Sequence, residues 1–424
     1  MTRALVLHPD LTSEAGRRDP VMALEEAAAL AMALPGLDIT GAEIVRLPRP
    51  HPGRLFGAGK IAALRDRIKD NDIGLVLIDG PVTPVQQRNL ERDWGCKLLD
   101  RTGLILEIFA DRARTREGVL QVELAALSYQ RTRLVRAWTH LERQRGGLGF
   151  VGGPGETQIE ADRRAIDEAV TRIRRQLSKV VKTRELHRAA RAKVPYPIVA
   201  LVGYTNAGKS TLFNRLTGSK VLAKDMLFAT LDPTMRALAI PRGPEVILSD
   251  TVGFISDLPT ELVAAFRATL EDVRDADLIL HVRDISHPET TEQADDVRKI
   301  LESLGVSAAA NLLELWNKTD RLAPAELRTR LDAVSKRPEC LAISARTGAG
   351  FDALLAAIAA RLTPPKRTTT LELPLADGRK RAWLYEQGIV DAENLDDTHA
   401  SLTVTWTDRQ AKAFARLSEP RPDS

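Results

Sequence analysis

An eight-residue stretch near the middle of the chain has the residue types and spacing that bind a polyphosphate. It fits the pattern G-x-x-x-x-G-K-[S/T] at every specified position, with the residues Gly203, Tyr204, Thr205, Asn206, Ala207, Gly208, Lys209 and Ser210. The glycines let backbone N–H groups face a phosphate at a helix N-terminus, where an anion is already stabilised. We expect Lys209 to contact the β- and γ-phosphates of a nucleotide and Ser210 to bind Mg²⁺. The apolar run 198–202 predicts the preceding strand, and Thr211–Leu216 predicts the helix that follows.

A second motif with phosphate chemistry follows the apolar, strand-like run 245–249. It is the D-x-x-G sequence, formed by Asp250, Thr251, Val252 and Gly253. The Asp250 carboxylate could hold Mg²⁺ through a water molecule, and the Gly253 N–H could contact a γ-phosphate. The pattern is common by itself, but its position after a phosphate loop favours a nucleotide switch.

The residues expected to contact the base come later in the chain. The sequence N-K-x-D is formed by Asn317, Lys318, Thr319 and Asp320. Asp320 can accept hydrogen bonds from both the N1–H and the exocyclic amine of guanine, whereas adenine offers no matching pair of donors. A backbone N–H from Ser344, Ala345 or Arg346, after the predicted strand 340–343, could contact the guanine O6. The motifs together predict a GTPase.

A polar loop lies between the first two motifs, in the position of the first switch of a GTPase. Its residues are Phe228, Ala229, Thr230, Leu231, Asp232, Pro233 and Thr234. A threonine hydroxyl from this loop would complete the Mg²⁺ shell only when the γ-phosphate is present. Phe254 occupies the place where a Ras-like enzyme has the glutamine that orients the attacking water. Phenylalanine cannot bond that water, so we expect slow turnover by the chain alone, and we assign no side chain as general base.

Length and composition limit the other possibilities. At 424 residues the chain is too long for one core, which predicts two to four domains. No apolar run is long enough to span a bilayer, and the first residues lack the pattern of a secretory signal. Cys96 and Cys340 fit no disulfide framework or metal pattern. We therefore expect a cytoplasmic protein without a membrane span.

Predicted strands and helices alternate from residue 1 to residue 111. Strands are expected at 4–7, 44–47, 74–78 and 96–99, and helices at 21–34, at 60–69 and after Thr83. Thr83, Pro84 and Gln86 are typical of a helix N-terminus with a capping box. The segment 57–60 resembles a shortened phosphate loop, but its spacing is wrong and we interpret it as a turn into a helix. The alternation predicts a small, mostly parallel sheet.

Residues 112–194 are predicted to form a basic helical hairpin. Between 112 and 193 there are 19 Arg and Lys against 9 Asp and Glu, a net charge of +10 in a chain whose total is +4. This asymmetry favours a polyanionic partner such as nucleic acid, although a solvated helical face is the alternative. Apolar residues recur at every seventh position, at Leu120, Leu127, Leu134 and Leu141 and again at Ile159, Ile166, Ile173 and Val180. The spacing predicts an antiparallel coiled coil whose apolar stripes pack on each other.

The loop 146–155 between these helices is rich in glycine and contains Leu148, Phe150 and Val151. A flexible connector would not need apolar residues, whereas a tip that becomes ordered against another molecule would. Four arginines flank it, namely Arg143, Arg145, Arg163 and Arg164. We interpret the tip as a probe for RNA or a ribonucleoprotein.

The predicted fold class is α/β. A small parallel α/β domain (1–111) and the antiparallel helical hairpin (112–194) precede a P-loop GTPase domain (195–363), and a small α+β module (366–424) follows a proline-containing linker. In the last module we expect strands at 369–373, 388–390 and 401–406, helices near 376–386 and 408–417, and no catalytic motif.

The motifs in this order resemble the HflX family, ribosome-associated GTPases of the Obg–HflX group in the translation-factor class. The stretches that carry the resemblance are GYTNAGKS, FATLDPT, DTVGF, NKTD and SAR, with GGPGETQIEADRR at 152–164. The resemblance covers nearly the whole chain. It implies a GTPase that binds the large ribosomal subunit and its RNA, is stimulated by the ribosome, and helps to split or rescue stalled ribosomes under stress.

The resemblance also implies roles for single residues. The catalytic set is Lys209, Thr230, Asp250 and Gly253, and the Mg²⁺ ligands are Ser210 and Thr230, with Thr230 preferred to Thr234 on the family pattern. Asn206 lies where similar GTPases place a ligand of K⁺. The other residues expected to contact the nucleotide are Gly203, Tyr204, Thr205, Asn206, Ala207, Gly208, Thr211, Phe228, Ala229, Leu231, Asp232, Thr251, Val252, Asn317, Lys318, Thr319, Asp320, Ser344, Ala345 and Arg346.

Two other functions stay open on the sequence. The first is a GTPase in ribosome assembly or RNA modification. The second is a GTP-switched adaptor that recruits proteins through the coiled coil and has no RNA role. We expect a monomer, because the hairpin seam is satisfied within one chain. No complete motif indicates a second nucleotide site in the N-terminal domain.

Overall fold

The computed structural model describes most of the chain. The described residues are 1–13, 18–144, 154–191, 196–219, 227–228, 230–231, 234–241, 243–256, 273–306, 311–363, 366–396 and 398–417. They form two units, one of residues 1–239 with 245–354 and one of residues 240–244 with 355–424. Among the described residues, no helix has the length and apolar character needed to cross a bilayer.

The chain begins with a four-stranded parallel sheet. Its strands are β1 (Thr2–Leu11), β2 (Leu37–Leu47), β3 (Leu75–Ile78) and β4 (Lys97–Asp100), in the order β2-β1-β3-β4. The predicted small parallel sheet is confirmed. Because β2 lies on one side of β1 and β3 on the other, the sheet has a switch point at the carboxyl ends of β1 and β3.

Four helices accompany this sheet. They are α1 (Pro20–Ala33), α2 (Ala58–Asp70), α3 (Pro84–Trp94) and α4 (Arg101–Arg112). The predicted capping box of α3 is confirmed, since Thr83 Oγ1 accepts a hydrogen bond from Gln86 N and Gln86 Oε1 accepts one from Thr83 N. The segment 57–60 is indeed a turn into a helix, with Gly57 as the N-cap of α2.

Helix α4 was not predicted from the sequence. Asp100 ends β4 and at once caps α4, because its carboxylate accepts a hydrogen bond from Gly103 N at 2.8 Å. The buried residues of α4 include the consecutive Leu104, Ile105 and Leu106, as well as Ile108 and Phe109. A helix buried on most of its faces has no amphipathic periodicity, so its sequence does not distinguish it from a buried strand.

The next two helices, α5 (Arg116–Gln144) and α6 (Pro154–Arg191), pack side by side. Residues 145–153 could reach only about 36 Å when fully extended, less than the length of about 43 Å that α5 has at 1.5 Å per residue, so the two helices run antiparallel as predicted. The tip residues 145–153 lie outside the described residues. The predicted tip ended at 155, but α6 already begins at Pro154.

The seam between these helices is described only in part. Leu120, Val170 and Ile173 are buried, whereas the side chains of the seam residues Leu134, Trp138, Leu141 and Ile159 lie outside the described ones. Another face of α5 packs on the N-terminal region: Val122 and Ala125 join the core that contains α4. The hydroxyl of Tyr129 donates a hydrogen bond to Asp100, and Arg133 forms an ion pair with the Asp100 carboxylate at 3.1 Å. The base of the hairpin is thereby attached to the N-terminal sheet.

A six-stranded sheet forms the centre of the GTPase region. Its strands are β5 (Ile198–Gly203), β6 (Thr234–Ala239), β7 (Glu245–Asp250), β8 (Leu278–Asp284), β9 (Leu312–Asn317) and β10 (Cys340–Ala342), in the order β10-β9-β8-β5-β7-β6. Neighbours are parallel except for the edge strand β6, which is antiparallel to β7. The α-helices among the described residues of this region are α7 (Lys209–Thr217), α8 (Thr290–Ser303), α9 (Pro324–Ser335) and α10 (Phe351–Leu362).

His281 on β8 makes the stability of this sheet depend on pH. Its side chain is buried, and its cross-strand neighbours are Val202 and Glu314. Burial lowers the pKa of His281 from its ordinary 6.5 to about 4, although Glu314 opposes the shift. Between these values the unfolded chain binds more protons than the folded one, so acid destabilises the fold.

We therefore expect acidification from pH 7 to pH 5 to lower the free energy of unfolding by about 2 kcal/mol through His281 alone. Denaturant titrations at the two pH values would measure the loss. A His281→Gln variant is the control, because a side chain that does not titrate should remove this component. An equal pH dependence in both proteins would contradict the prediction.

The second unit contains a small antiparallel sheet. Its strands β11 (Lys366–Pro374), β12 (Val390–Leu395) and β13 (His399–Thr407) lie in the order β11-β13-β12, and its helices are α11 (Gly378–Glu386) and α12 (Asp408–Arg416). The predicted strand at 388–390 is wrong. Gly388 has a φ of +64° and turns the chain after α11, so that β12 begins only at Val390.

Candidate nucleotide-binding site

The phosphate loop connects β5 to α7 in the predicted strand–loop–helix arrangement, and two of its glycines are required by their surroundings. Gly203 has a φ of +151°, and a Cβ there would lie 2.2 Å from the carbonyl oxygen of Val282. Gly208 has a φ of +96°, and a Cβ there would lie 2.3 Å from Asn317 Nδ2. The conformation and the close neighbours both exclude a side chain at these positions.

Lys209 is the first residue of α7 and its side chain is buried. Its ammonium group donates hydrogen bonds to the carbonyl oxygens of Gly203 at 3.0 Å and Tyr204 at 2.8 Å. Burial lowers the pKa of Lys209 to about 8, although the Asp250 carboxylate opposes the shift. The loop thus holds the ammonium group next to the backbone that would surround a phosphate.

Three oxygen-bearing side chains meet beside the loop. Ser210 Oγ lies 2.8 Å from Asp250 Oδ2, Thr230 Oγ1 lies 2.9 Å from the same oxygen, and the two hydroxyl oxygens are 2.9 Å apart. Asp250 Oδ1 is buried and has no hydrogen-bond partner among the described residues. Burial raises the pKa of Asp250 against the opposing effect of Lys209, so a cation at this point would compensate a poorly solvated carboxylate.

These oxygens fit Mg²⁺. The described residues contain no group of three or more His, Cys, Asp or Glu side chains that could hold a metal ion. Mg²⁺ in nucleotide enzymes, however, takes one or two carboxylates with hydroxyls, waters and phosphate oxygens rather than an all-protein cage. Thr234, the alternative switch ligand, lies instead at the start of β6, paired in register with Asp250. The geometry therefore favours Thr230.

Asn317 connects the phosphate loop to the residues expected at the base. Its Nδ2 donates to the carbonyl oxygen of Ala207 at 2.8 Å, and its Oδ1 accepts from Ala345 N at 2.9 Å. Asn317 is the last residue of β9, so the sheet fixes where these bonds are made. One amide side chain thus sets the distance between three motifs that are far apart in sequence.

Asp320 lies in the turn after Asn317 with both carboxylate oxygens bound. Oδ1 accepts from Ser344 Oγ at 2.6 Å, and Oδ2 pairs with Arg346 Nη2 at 2.6 Å. Burial alone would raise the pKa of Asp320, but Ser344 and Arg346 outweigh it and hold that pKa below its ordinary value. The carboxylate is therefore ionised at neutral pH and can accept hydrogen bonds.

A cavity of about 310 Å³ joins these groups. It is lined by Thr205, Asn206, Gly208, Lys209, Ser210, Thr211, Phe228, Thr230, Thr251, Gly253, Asn317, Lys318, Asp320, Arg321, Ala345 and Arg346. All but Arg321 are predicted site residues. Arg321 directly follows the N-K-x-D motif, and this adjacency is the signal that could have identified it.

Other predicted site residues do not line the cavity. They are Gly203, Tyr204, Ala207, Leu231, Asp250, Val252, Thr319 and Ser344. Asp250 and Ser344 act through bonds to lining residues, whereas the hydroxyl of Tyr204 contacts Glu26 of the N-terminal region. Ala229 and Asp232 lie outside the described residues.

Known GTPases are similar to this chain over most of its length. GTPase HflX of Magnetococcus marinus is 47% identical over 394 residues, which cover 92% of this chain and 89% of that protein. GTPase HflX of Escherichia coli is 47% identical over 348 residues, which cover 82% of this chain and 81% of that protein. The chain belongs to the HflX family of GTPases.

Family models match this HflX GTPase along its length. They are described as GTP-binding GTPase N-terminal (residues 22–110), GTP-binding GTPase Middle Region (112–191), 50S ribosome-binding GTPase (198–318) and HflX C-terminal domain (330–421). A crystal structure of a GTP-binding protein from Sulfolobus solfataricus in complex with GDP is 24% identical and covers 85% of this chain and 99% of that one. The TM-score between the two structures is 0.46.

Phe254, the residue after Gly253, has a structural role in this HflX GTPase. Its side chain is buried in the core. Its backbone N–H donates to the carbonyl oxygen of Gly203 at 3.1 Å, and its own carbonyl accepts from Thr205 N at 2.6 Å. The segment after the D-x-x-G motif is therefore paired with the phosphate loop, and the side chain at this position does not line the cavity.

Proposed function

We propose that this HflX GTPase hydrolyses GTP on the large ribosomal subunit and uses its helical hairpin to split or rescue stalled ribosomes. The observation that carries the proposal is the connection of a basic helical pair, through the base of α5, to the same unit that holds the nucleotide cavity. The hairpin would bind ribosomal RNA, and the GTP switch would set its affinity.

Charge and exposure support RNA as the partner of the hairpin. Arg172, Arg174 and Arg175 on α6 are exposed, and so is Lys182. Some neighbouring charges are neutralised, since Asp167 pairs with Arg131 across the hairpin at 3.0 Å. The remaining positive surface suits phosphate contacts, which would make binding weaken steeply as salt is added.

The cavity supports slow turnover by the protein alone. Lys209, the Mg²⁺-binding oxygens and the Gly253 N–H would stabilise charge on the phosphates, but Phe254 offers no group that could orient water. We propose that Mg²⁺ is bound by Ser210 and Thr230, and that the missing help comes from the ribosome. Asn206, which lines the cavity at a φ of +56°, is the proposed ligand for K⁺.

The test is GTP turnover with and without purified large ribosomal subunits, in potassium buffer, with ATP as the nucleotide control. We expect stimulation of at least about tenfold, because a single well-placed donor contributes about 10²–10³-fold. No stimulation in the presence of normal GTP binding would refute the ribosomal partner. Replacing K⁺ by Na⁺ tests the cation, since unchanged turnover would rule out the role of Asn206.

Variants of the helical hairpin distinguish RNA binding from the other proposed roles of this element. An Arg172→Gln/Arg174→Gln/Arg175→Gln protein should lose binding to the subunit and its stimulation while keeping its basal turnover. The matched control, Arg328→Gln/Lys336→Gln, removes exposed charges near α9 and should keep both. If the hairpin variant is stimulated like the wild type, or if binding to the ribosomal subunit does not depend on salt, a role as a protein adaptor becomes the better explanation.

A further inference from the structure

A buried polar cluster fills the switch point of the N-terminal sheet. Arg101, the first residue of α4, donates to Asp79 Oδ1 and to Glu26 Oε1, both at 2.6 Å. A third bond from Arg101 goes to the carbonyl oxygen of Ser256 at 2.9 Å. Open α/β sheets commonly bind ligands at this position, but here the groups that occupy it belong to the chain itself.

Tyr204, the second residue of the phosphate loop, enters the same cluster. Its hydroxyl donates to the Glu26 carboxylate and accepts from Ser256 N at 2.8 Å. Ser256 Oγ lies 2.8 Å from that hydroxyl and donates to Asp296 on α8 at 2.7 Å. Burial and the Glu26 charge raise the pKa of Tyr204, so the hydroxyl keeps its proton and acts as the donor.

Ion pairs hold the cluster together. Glu26 is flanked by Arg101 and by Arg18, whose guanidinium donates to it at 3.0 Å and to Glu289 at 2.9 Å. Burial opposes ionisation of Glu26, but the two arginines outweigh it and hold its pKa below the ordinary value. Because removing one member of a buried ion pair leaves an uncompensated charge, the position of each group is strongly fixed.

The cluster holds the end of the segment 253–256. Both backbone groups of Ser256 are bound, its N–H to Tyr204 and its carbonyl to Arg101. Phe254, which lies between Gly253 and Ser256 in the sequence, is paired with the phosphate loop. The place of the Gly253 N–H relative to the loop is therefore set in part by side chains of the N-terminal region.

We propose that Glu26 and Arg101 are positioning residues for GTP hydrolysis, which act through Tyr204 and Ser256 on the Gly253 N–H. The N-terminal region then favours the GTP-bound over the GDP-bound state of the second switch. The inference rests on the proposed contact between Gly253 and the γ-phosphate.

The test compares two conservative variants of buried tyrosines. Tyr204→Phe removes the hydroxyl that joins Glu26 to Ser256. Tyr129→Phe is the matched control, because its hydroxyl also donates to a buried carboxylate, Asp100 at 2.6 Å, beside an arginine, but does not contact the segment 253–256. For each protein, the affinities for GDP and for a non-hydrolysable GTP analogue, kcat, KM and Tm are measured.

We expect Tyr204→Phe to lower kcat and the affinity for the GTP analogue about tenfold each, with the affinity for GDP unchanged. Tyr129→Phe should change Tm only. Glu26→Gln should reproduce the loss, and combining it with Tyr204→Phe should add little, because both changes break the same connection. Unchanged kcat and nucleotide preference in Tyr204→Phe, or an equal effect of Tyr129→Phe, would overturn the inference.

A Gly253→Ala variant distinguishes failure of the inference from failure of its premise. A Cβ at Gly253 would lie 2.9 Å from Thr205 Cγ2 and 3.1 Å from Lys209 Nζ. If this variant keeps its affinity for the GTP analogue, the γ-phosphate contact is wrong and the inference falls with it. If it loses that affinity while Tyr204→Phe does not, only the positioning role is refuted.

Discussion

An Asp320→Asn variant should lose affinity for GTP and GDP by about 10²–10⁴-fold, because two hydrogen bonds to a charged acceptor are worth about 3–6 kcal/mol. We expect the ionised carboxylate to accept hydrogen bonds from both donors on the edge of guanine. An asparagine presents an NH₂ group toward one of those donors, so one bond is lost and two donors face each other, while the other bond loses its charged acceptor. Asp320 is poised for this role because Ser344 and Arg346 keep its pKa low.

The same substitution should raise the affinity for xanthine nucleotides. Xanthine has a carbonyl oxygen where guanine has the exocyclic amine, and the asparagine NH₂ group can donate to it. Titration with fluorescent GDP and XDP would measure both changes. Asp277→Asn is the control, since Asp277 accepts a backbone N–H from Ile198 at 2.7 Å and does not line the cavity. An Asp320→Asn protein that binds GDP as the wild type does would refute the assignment.

The nucleotide loops could be predicted because their chemistry restricts residue type and spacing together. Gly208 illustrates what the sequence contains: the motif requires glycine there, and the structure gives the reason in its close approach to Asn317. The neighbouring residue Ala207 illustrates what the sequence does not contain, namely the contacts between distant parts of the chain. Ala207 and Asn317 are bonded although 110 positions separate them, and local pattern carries no information about such a contact.

The unspecified positions of a motif leave the partner of a side chain undetermined. Tyr204 was expected to contact the nucleotide because it belongs to the phosphate loop, yet its hydroxyl bonds to Glu26, 178 residues earlier. The pattern G-x-x-x-x-G-K-[S/T] leaves that position free, so its side chain can serve another part of the fold. Helix α4 was missed for a related reason: its apolar residues face several neighbours, and periodicity reports only helices with one apolar face.

The fold class followed from alternation and periodicity, but the connections between parts did not. The heptad pattern predicted the helical pair, whereas Tyr129 and Arg133 on α5 bond to Asp100 at the end of β4. Phe109 on α4 likewise packs edge to face on Phe228 of the first switch, with ring centroids 4.7 Å apart. Such contacts depend on the arrangement of whole elements, which only the structure supplies.

A Ser210→Ala variant should reduce GTP turnover by about 10²–10³-fold, the usual effect of losing one group that stabilises transition-state charge, and should raise the Mg²⁺ concentration needed for half-maximal turnover. The hydroxyl lies 2.8 Å from Asp250 Oδ2, so its loss would remove a proposed metal ligand and leave the carboxylate with one hydrogen-bond donor fewer. Ser249→Ala is the control: Ser249 is buried next to Asp250, and its Oγ has no hydrogen-bond partner among the described residues. Equal turnover in the two variants would contradict the metal site.

Comparing Ser210 with Thr230 then tests the switch itself. Ser210 lies on α7, outside the two expected switch segments, so Ser210→Ala should weaken the Mg²⁺ dependence of both GDP and GTP binding. Thr230 belongs to the first switch, and its hydroxyl should reach the metal only when the γ-phosphate is present. Thr230→Ala should therefore weaken binding of a GTP analogue and leave GDP binding unchanged. If both variants affect GDP and the GTP analogue alike, Thr230 is a fixed ligand and the nucleotide state must be sensed elsewhere, at Gly253.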